Sequence, residues 1–172
     1  MSEYKNFREE VLSRTKSIWD EYLREHNEDG FEITLAINIL SMVLLRLAGI
    51  EEEYGQKPPY DEFSEIIKIH CTAHFIGADV NEQKTHECDG KKFVSYLRNG
   101  FAHIHIYPYY ENGKISKIEV RSRKSEPHFI YSFEASKFCD FVNAALEFAR
   151  EQERKMTGEQ FKEGEENGNP NL

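Results

Sequence analysis

The spacing of apolar positions changes along the chain, and each change marks a new element. Between residues 4 and 25, Phe7, Val11, Ile18, Trp19 and Tyr22 fall near one helical stripe among charges, which predicts a first amphipathic helix ending near Asn27 to Gly30. Ile33 to Ala48 is apolar almost all round, the pattern of a central helix surrounded by others, and Gly49 stands where a C-cap is expected. After a turn-rich stretch with Gly55, Pro58 and Pro59, Asp61 is placed to cap a third helix. It runs to about Phe75, buries Phe63, Ile66, Ile67 and Ile69, and stops at Gly77. Asn81 to Asp89 reads as a polar loop. Gly90 to His103 reads as a fourth helix with Phe93, Val94, Leu97 and Phe101 inward.

Beyond His103 the period becomes two. Ile104 and Ile106 alternate with His105 and Tyr107, Pro108 limits pairing, and Glu111-Asn112-Gly113-Lys114 is a good hairpin turn. Ile115 to Arg123 is the returning strand, with Ile118 and Val120 on one side and Lys117, Glu119, Arg121 and Arg123 on an exposed basic one. His128 to Phe133 adds a third strand. Phe138, Phe141, Val142, Ala145, Leu146 and Ala149 return to helical spacing in a last helix from Glu134 to about Arg154. The expected fold is mainly α, a helical bundle with a small antiparallel β-hairpin or three-stranded sheet between the fourth and last helices. It forms one domain over residues 1–155, and residues 156–172, with almost nothing to bury, form a disordered acidic tail.

Composition changes this picture little. The chain has 172 residues, 39% of them hydrophobic, which suits one ordinary core. No charged leader precedes an apolar run, and Asn38, Ser41 and Arg46 interrupt the longest one, so no membrane association is expected. Cys71, Cys88 and Cys139 are too few and of the wrong parity for a disulfide framework. The reading is of a cytoplasmic protein with free thiols. A net charge of -9 argues against nonspecific coating of nucleic acid. Its distribution matters more. Between Lys91 and Lys124, eight basic residues face only Glu111 and Glu119, a local field that favours phosphate and otherwise a solvated basic face. Lys91, Lys92, Lys117, Arg121 and Arg123 are the candidate RNA-binding residues in that window.

The window also contains Arg98-Asn99-Gly100-Phe101-Ala102-His103. RNA is cut without metal when its 2′-hydroxyl attacks the adjacent phosphorus, a reaction needing a proton acceptor, a proton donor and charge stabilisation at phosphate. No cofactor is called for. Histidine titrates near neutral pH and serves as base or acid, which is worth roughly 10²- to 10⁴-fold in rate. His103 is the candidate. The planar guanidinium of Arg98 suits phosphate oxygens, and the Asn99 amide, donor and acceptor at once, suits an orienting role.

This run resembles the R-x4-6-H motif of HEPN domains, including the polar residue after the arginine and its place late in a helix. The order of helices, motif helix, short β-hairpin and final helix is similar to one HEPN branch, so the fold expected from the resemblance is a HEPN-like bundle. The resemblance implies a homodimer whose motifs face one cleft and cut RNA to leave a cyclic phosphate. It also implies a toxin or phage-defence effector, in some relatives held by an antitoxin or defence-system partner. One such antitoxin modifies a tyrosine two residues beyond the motif histidine. Here that position is His105. The longer spacing from Arg98 to His105 would place Tyr107 there instead, so His105 and Tyr107 are accessory candidates.

Other readings compete. An arginine and a histidine near a helix C-terminus also stabilise the last carbonyls and the dipole without catalysis. A noncatalytic HEPN-like module would bind RNA, a nucleotide or a partner protein and leave RNA intact. His70 and His74, four apart on the expected third helix, with His86-Glu87-Cys88, allow a zinc site to be drawn, but the spacing matches no established motif. Tyr107, Tyr109 and Tyr110 suit base stacking and a hairpin equally well.

Overall fold

The all-round apolar stretch becomes the second helix, but it is the last helix that packs against three other helices and the sheet. In a computed structural model that describes residues 7–25, 33–55, 57–76, 89–125 and 128–166, the helices are α1 (Phe7–Glu25), α2 (Ile33–Tyr54), α3 (Tyr60–His70), α4 (Gly90–Ala102) and α5 (Ala135–Glu166). The strands are β1 (Cys71–Ile76), β2 (Ile106–Glu111), β3 (Lys114–Arg121) and β4 (His128–Glu134). They form one antiparallel sheet in the order β1-β4-β3-β2. The fold is mainly helical, with the sheet against the helices.

By length and composition Ile33–Ile50 could cross a membrane. Its buried Ala36, Leu40, Val43, Leu44, Leu47 and Ile50 form one stripe against α5 and α4, and Leu45 is 60% exposed, so the helix is not surrounded on all sides as its pattern suggested. Gly49, the expected cap, lies inside this helix, which runs on to Tyr54. The left-handed residue that follows the helix is Gly55, with φ of 66°. Helix α5 also packs against α1 and α3 and lays Phe138, Phe141 and Val142 over the sheet. Phe133 stacks on Phe141 at 5.0 Å, and Phe93 meets Tyr131 edge-on at 5.1 Å. The Tyr131 hydroxyl, fully buried, donates to the Phe93 carbonyl at 2.7 Å, so its desolvation is compensated. Beyond the apolar stripe of α5, Gln152, Glu153 and Met156 are still buried. Glu153 accepts from Arg46 of α2 at 2.9 and 2.5 Å, a two-point clamp that carries the helix past its expected end.

The third helix is shorter than its pattern suggested, and this is the main correction to the fold. It ends at His70, and residues 71–76 pair with β4 as a fourth strand, Cys71 opposite Phe133 and Phe75 opposite Phe129. Thr72, Phe75 and Ile76 are good strand residues, and a ready β4 edge decides the outcome that local periodicity leaves ambiguous. Asp61 is likewise not the N-cap, which is Pro59. Its carboxylate instead accepts from the Gly90 N–H at 3.0 Å and ties α3 to the start of α4. Two expected core residues turn outward, Ile18 at 58% and Ile69 at 75% exposure, while Leu12 takes the buried place on α1. The expected inward sets of α4 and the last helix are buried as read. The hairpin turn is also as read: Asn112 and Gly113 both have positive φ, 50° and 75°, as a type I′ turn requires.

Gly100 sets how closely α4 approaches the sheet. A Cβ there would lie 2.5 Å from Val120 Cγ1 and 2.7 Å from the Arg121 carbonyl oxygen, and the latter is backbone. Gly100→Ala therefore forces the helix off β3 and should destabilise by about 1–3 kcal/mol. That exceeds the roughly 0.5–1 kcal/mol that alanine gains inside a helix. Urea unfolding of the two proteins checks the sign.

Candidate functional site

Helix α4 presents the motif and also explains its shape. Asp89 caps its N-terminus by accepting from the Lys92 N–H at 2.8 Å. Phe93, Val94, Leu97, Gly100 and Phe101 form the buried arc, which leaves Arg98 and Asn99, half-buried, and His103, exposed, on the opposite arc. At 3.6 residues per turn, Arg98 and His103 stand about 140° apart round the axis, with Asn99 between them. The three side chains therefore form part of a convex helix end.

The C-terminus of α4 closes as a Schellman motif. His103 is the C-cap, the Ile104 N–H donates to the Phe101 carbonyl at 3.1 Å, and the His105 N–H donates to the Gly100 carbonyl at 2.9 Å. The His103 N–H donates to Asn99 at 3.0 Å. Backbone groups thus satisfy the last carbonyls. Among the described residues, Arg98, Asn99 and His103 make no side-chain hydrogen bond or ion pair, so the purely structural reading, in which arginine and histidine serve those carbonyls, has no contact behind it. The His103 and His105 rings stack at 5.7 Å with 27° between their planes, and His105 Nδ1 is buried without a partner. The Arg121 N–H donates to the His105 carbonyl at 2.9 Å, which ties the helix end to β3.

The left-handed position of this motif, usually glycine, is Ile104, with φ of 53° and 77% exposure. A β-branched residue there carries a steric penalty of roughly 1–2 kcal/mol, and an exposed side chain recovers little of it by burial. Ile104→Gly should therefore raise stability by about 1 kcal/mol after the extra flexibility of unfolded glycine is counted. Thermal unfolding should show a rise of about 2–4 °C.

The basic window is not one patch. Lys91 and Lys92 stand at the N-terminal end of α4, about 18 Å from His103 by helical rise, and Lys91 lies 5.9 Å from the Tyr60 ring centre. Lys117 and Arg121 share the outer face of the sheet with Tyr107 and Tyr109, while exposed Arg123 follows β3 in the next turn. Each cation covers a tyrosine ring: Lys117 over Tyr109 at 4.1 Å and Arg121 over Tyr107 at 4.4 Å. Glu119 joins them. Expected on the exposed face, it is only 8% exposed, and it accepts from the Tyr109 hydroxyl and from Lys117, both at 2.8 Å, with Arg121 at 3.5 Å. Its place opposite Tyr107 in the hairpin register was the signal that marks it.

Burial pushes the Glu119 carboxyl up, but hydrogen bonds from Lys117 and Tyr109 and the Lys117 charge outweigh it and hold the group below its ordinary value. The stability it confers is complete above the unfolded carboxylate range and is lost as pH falls through the lowered value. Glu119→Gln should therefore unfold more easily at pH 7 and lose less stability between pH 5 and pH 3 than the parent. Denaturant titrations at the three pH values read this directly.

The zinc reading loses its helical pair. His70 ends α3 and its Nδ1 sits 2.8 Å from the Ile66 carbonyl oxygen, whereas His74 lies on β1. His86, Glu87 and Cys88 lie outside the described residues. Among the described residues no group of three metal-ligating side chains is found. Cys71 and Cys139 are free, and burial pushes their thiols up to about 12 and about 11, with Asp140 adding to the second, so neither offers a ready thiolate.

Over residues 1–156 the chain matches the family described as HEPN pEK499 p136, and it belongs to that HEPN family. HEPN domains are often ribonucleases or toxins. No curated protein matches the chain, and no solved structure matches it.

Proposed function

We propose that the protein is a metal-independent endoribonuclease that cuts RNA by 2′-hydroxyl attack at a composite site formed by two copies of the chain. The observation that carries this reading is the end of α4. The Asn99, Gly100 and Phe101 carbonyls are taken by backbone N–H groups, the half-buried Arg98 and Asn99 and the exposed His103 make no side-chain hydrogen bond or ion pair among the described residues, and the His105 ring stacks on His103. A catalytic site needs a concave, water-excluding surface, and one chain offers this motif on a convex helix end. A second copy docked across the two helix ends would supply the cleft, a second arginine and a second motif histidine.

In that cleft one histidine takes the proton of the 2′-hydroxyl while its oxygen attacks phosphorus. The bond from phosphorus to the 5′-oxygen breaks, and a second histidine protonates that oxygen, leaving a 2′,3′-cyclic phosphate and a 5′-hydroxyl. Arg98 stabilises the charge gathering on the phosphate oxygens, and Asn99 orients the hydroxyl or the imidazole. His105 is the accessory histidine, with Tyr107 beside it. Lys117, Arg121 and Arg123 lie on the sheet side of the motif and would guide the flanking RNA, while Lys91 and Lys92 would meet only a longer strand. The biological role in this reading is a cytoplasmic toxin or phage-defence effector acting on RNA as a homodimer, away from any membrane, and restrained by an antitoxin or defence-system partner.

Purified protein should cut single-stranded RNA in EDTA to cyclic-phosphate ends. His103→Ala should slow cleavage by at least roughly 10²-fold, as removal of an acid–base group does. Equal cleavage by the variant overturns the assignment. RNA that binds and survives makes the protein a binding module instead.

A further inference from the structure

A concavity lies away from the motif, where the chain passes twice between helix and strand without a loop. Helix α3 runs into β1 at His70 and Cys71, β4 runs into α5 at Glu134 and Ala135, and the two strands pair Cys71 with Phe133. Between these junctions is a cavity of about 300 Å³, whose lining includes Lys68, Ile69, Thr72, Lys117, Ser132 and Lys137. We propose that this cavity is a nucleotide subsite, holding a nucleotide of the same RNA several positions from the bond that is cut. The assignment rests on the ribonuclease reading above.

Size, chemistry and placement support it. The volume is at the low end for ligand sites, roughly 300–1,000 Å³, and so fits a single nucleotide unit better than a larger body. Three lysines line it from three elements, α3, β3 and α5, together with Glu134. Each is engaged by one carboxylate: Lys68 by Glu65 at 2.6 Å, Lys117 by Glu119 at 2.8 Å and Lys137 by Glu134 at 2.9 Å. An ammonium has three donors, and these side chains are 53%, 41% and 55% exposed, so the pairs are weak and leave donors for a phosphate. Thr72 and Ser132 stand opposite each other in the β1–β4 register, and their hydroxyls have no partner among the described residues. They suit the hydroxyls of a ribose or the polar edge of a base. Ile69, 75% exposed, supplies an apolar wall for the base.

The cavity connects with the motif across the outer face of the sheet. Lys117 lines the cavity and also covers Tyr109, and farther along, four residues on in β3 and two back in β2, Arg121 covers Tyr107, beside His105. From strand rise and spacing, His105 is about 17 Å from the cavity, a span of a few unstacked nucleotides. Aromatic and guanidinium faces along that path suit single-stranded RNA, whose bases are free to stack. Glu119 lies on the path, but it is nearly buried and is held by two cations. A substrate long enough to fill the subsite gains binding that a dinucleotide lacks.

Lys68→Ala/Lys137→Ala tests this with both substituted groups at the surface. On an RNA of about ten nucleotides, kcat/KM should fall by roughly tenfold or more, mostly through KM, while cleavage of a dinucleoside monophosphate is unchanged. An equal fall on both substrates, or on neither, overturns the subsite. Arg24→Ala/Lys155→Ala removes the same charge elsewhere, and an equal effect from it also overturns the assignment. Fluorescence anisotropy of the same RNA on His103→Ala protein separates this proposal from the catalytic one. If the parent cuts no RNA, a tenfold loss of binding in the Lys68/Lys137 variant still supports the subsite, and undiminished binding overturns it. Binding of AMP that the RNA cannot displace would assign the cavity to a free nucleotide and defeat the RNA assignment.

Discussion

The contact between α4 and β3 at Gly100 governs the arrangement of both candidate surfaces. With no side chain at that position, the helix comes down onto Val120 and the Arg121 backbone, where any larger residue would meet atoms at 2.5–2.7 Å. The same approach lets the Arg121 N–H reach the His105 carbonyl at 2.9 Å, so the end of the helix is bound to the end of a strand. The motif and the outer face of the sheet are consequently fixed relative to each other. Gly100 stands in the middle of the Arg98 to His103 run, yet its role is packing. The motif is thus two interleaved sets, with Arg98, Asn99 and His103 off the buried arc and Gly100 and Phe101 holding the helix in place.

The way the helix ends has a chemical consequence. A helix terminus leaves carbonyls that basic side chains commonly serve, and such service would occupy the groups that a catalytic site needs. Here the backbone N–H groups of Ile104 and His105 take that part. The arrangement requires a left-handed residue, and the chain puts an exposed isoleucine there instead of the glycine that would fit most easily. Strain at such a position persists only where its surroundings hold it, and the flanking histidines are held by the stack between them and by the tie to β3. The result is a stacked pair of imidazoles that serve none of the helix's terminal carbonyls.

Much of this was legible from residue order, for reasons that can be named. The inward set of α4, the stripe of α5 and the Asn112-Gly113 turn each rest on local rules, namely helical period and the positive φ of a type I′ turn. What escaped depends on partners far away in sequence. Residues 71–76 read as the end of a helix because apolar residues four apart continue through them, and only the β4 edge makes them a strand. Gly49 looked like a cap, but the helix runs on through it to Gly55. The basic window looked continuous because linear order hides a helix length between Lys92 and His103. The cavity could not be anticipated, since its lysines come from α3, β3 and α5.

Glu119 shows how an acidic chain can hold cations in place on a sheet face, as the proposed RNA surface requires. Free cations close together repel one another and wander, and their long side chains lose considerable freedom when finally fixed by a ligand. A nearly buried carboxylate between Lys117 and Arg121 removes that repulsion and holds Lys117 over the Tyr109 ring. The cost of burying the charge is met by three donors, so the anion is not itself offered to the solvent. The cations remain 41% and 30% exposed on their outer sides. Phosphate then meets donors already in position, while the net negative charge of the chain discourages indiscriminate binding elsewhere. Affinity on such a surface comes from placement along a short path, and selectivity follows from which strand can lie flat on it.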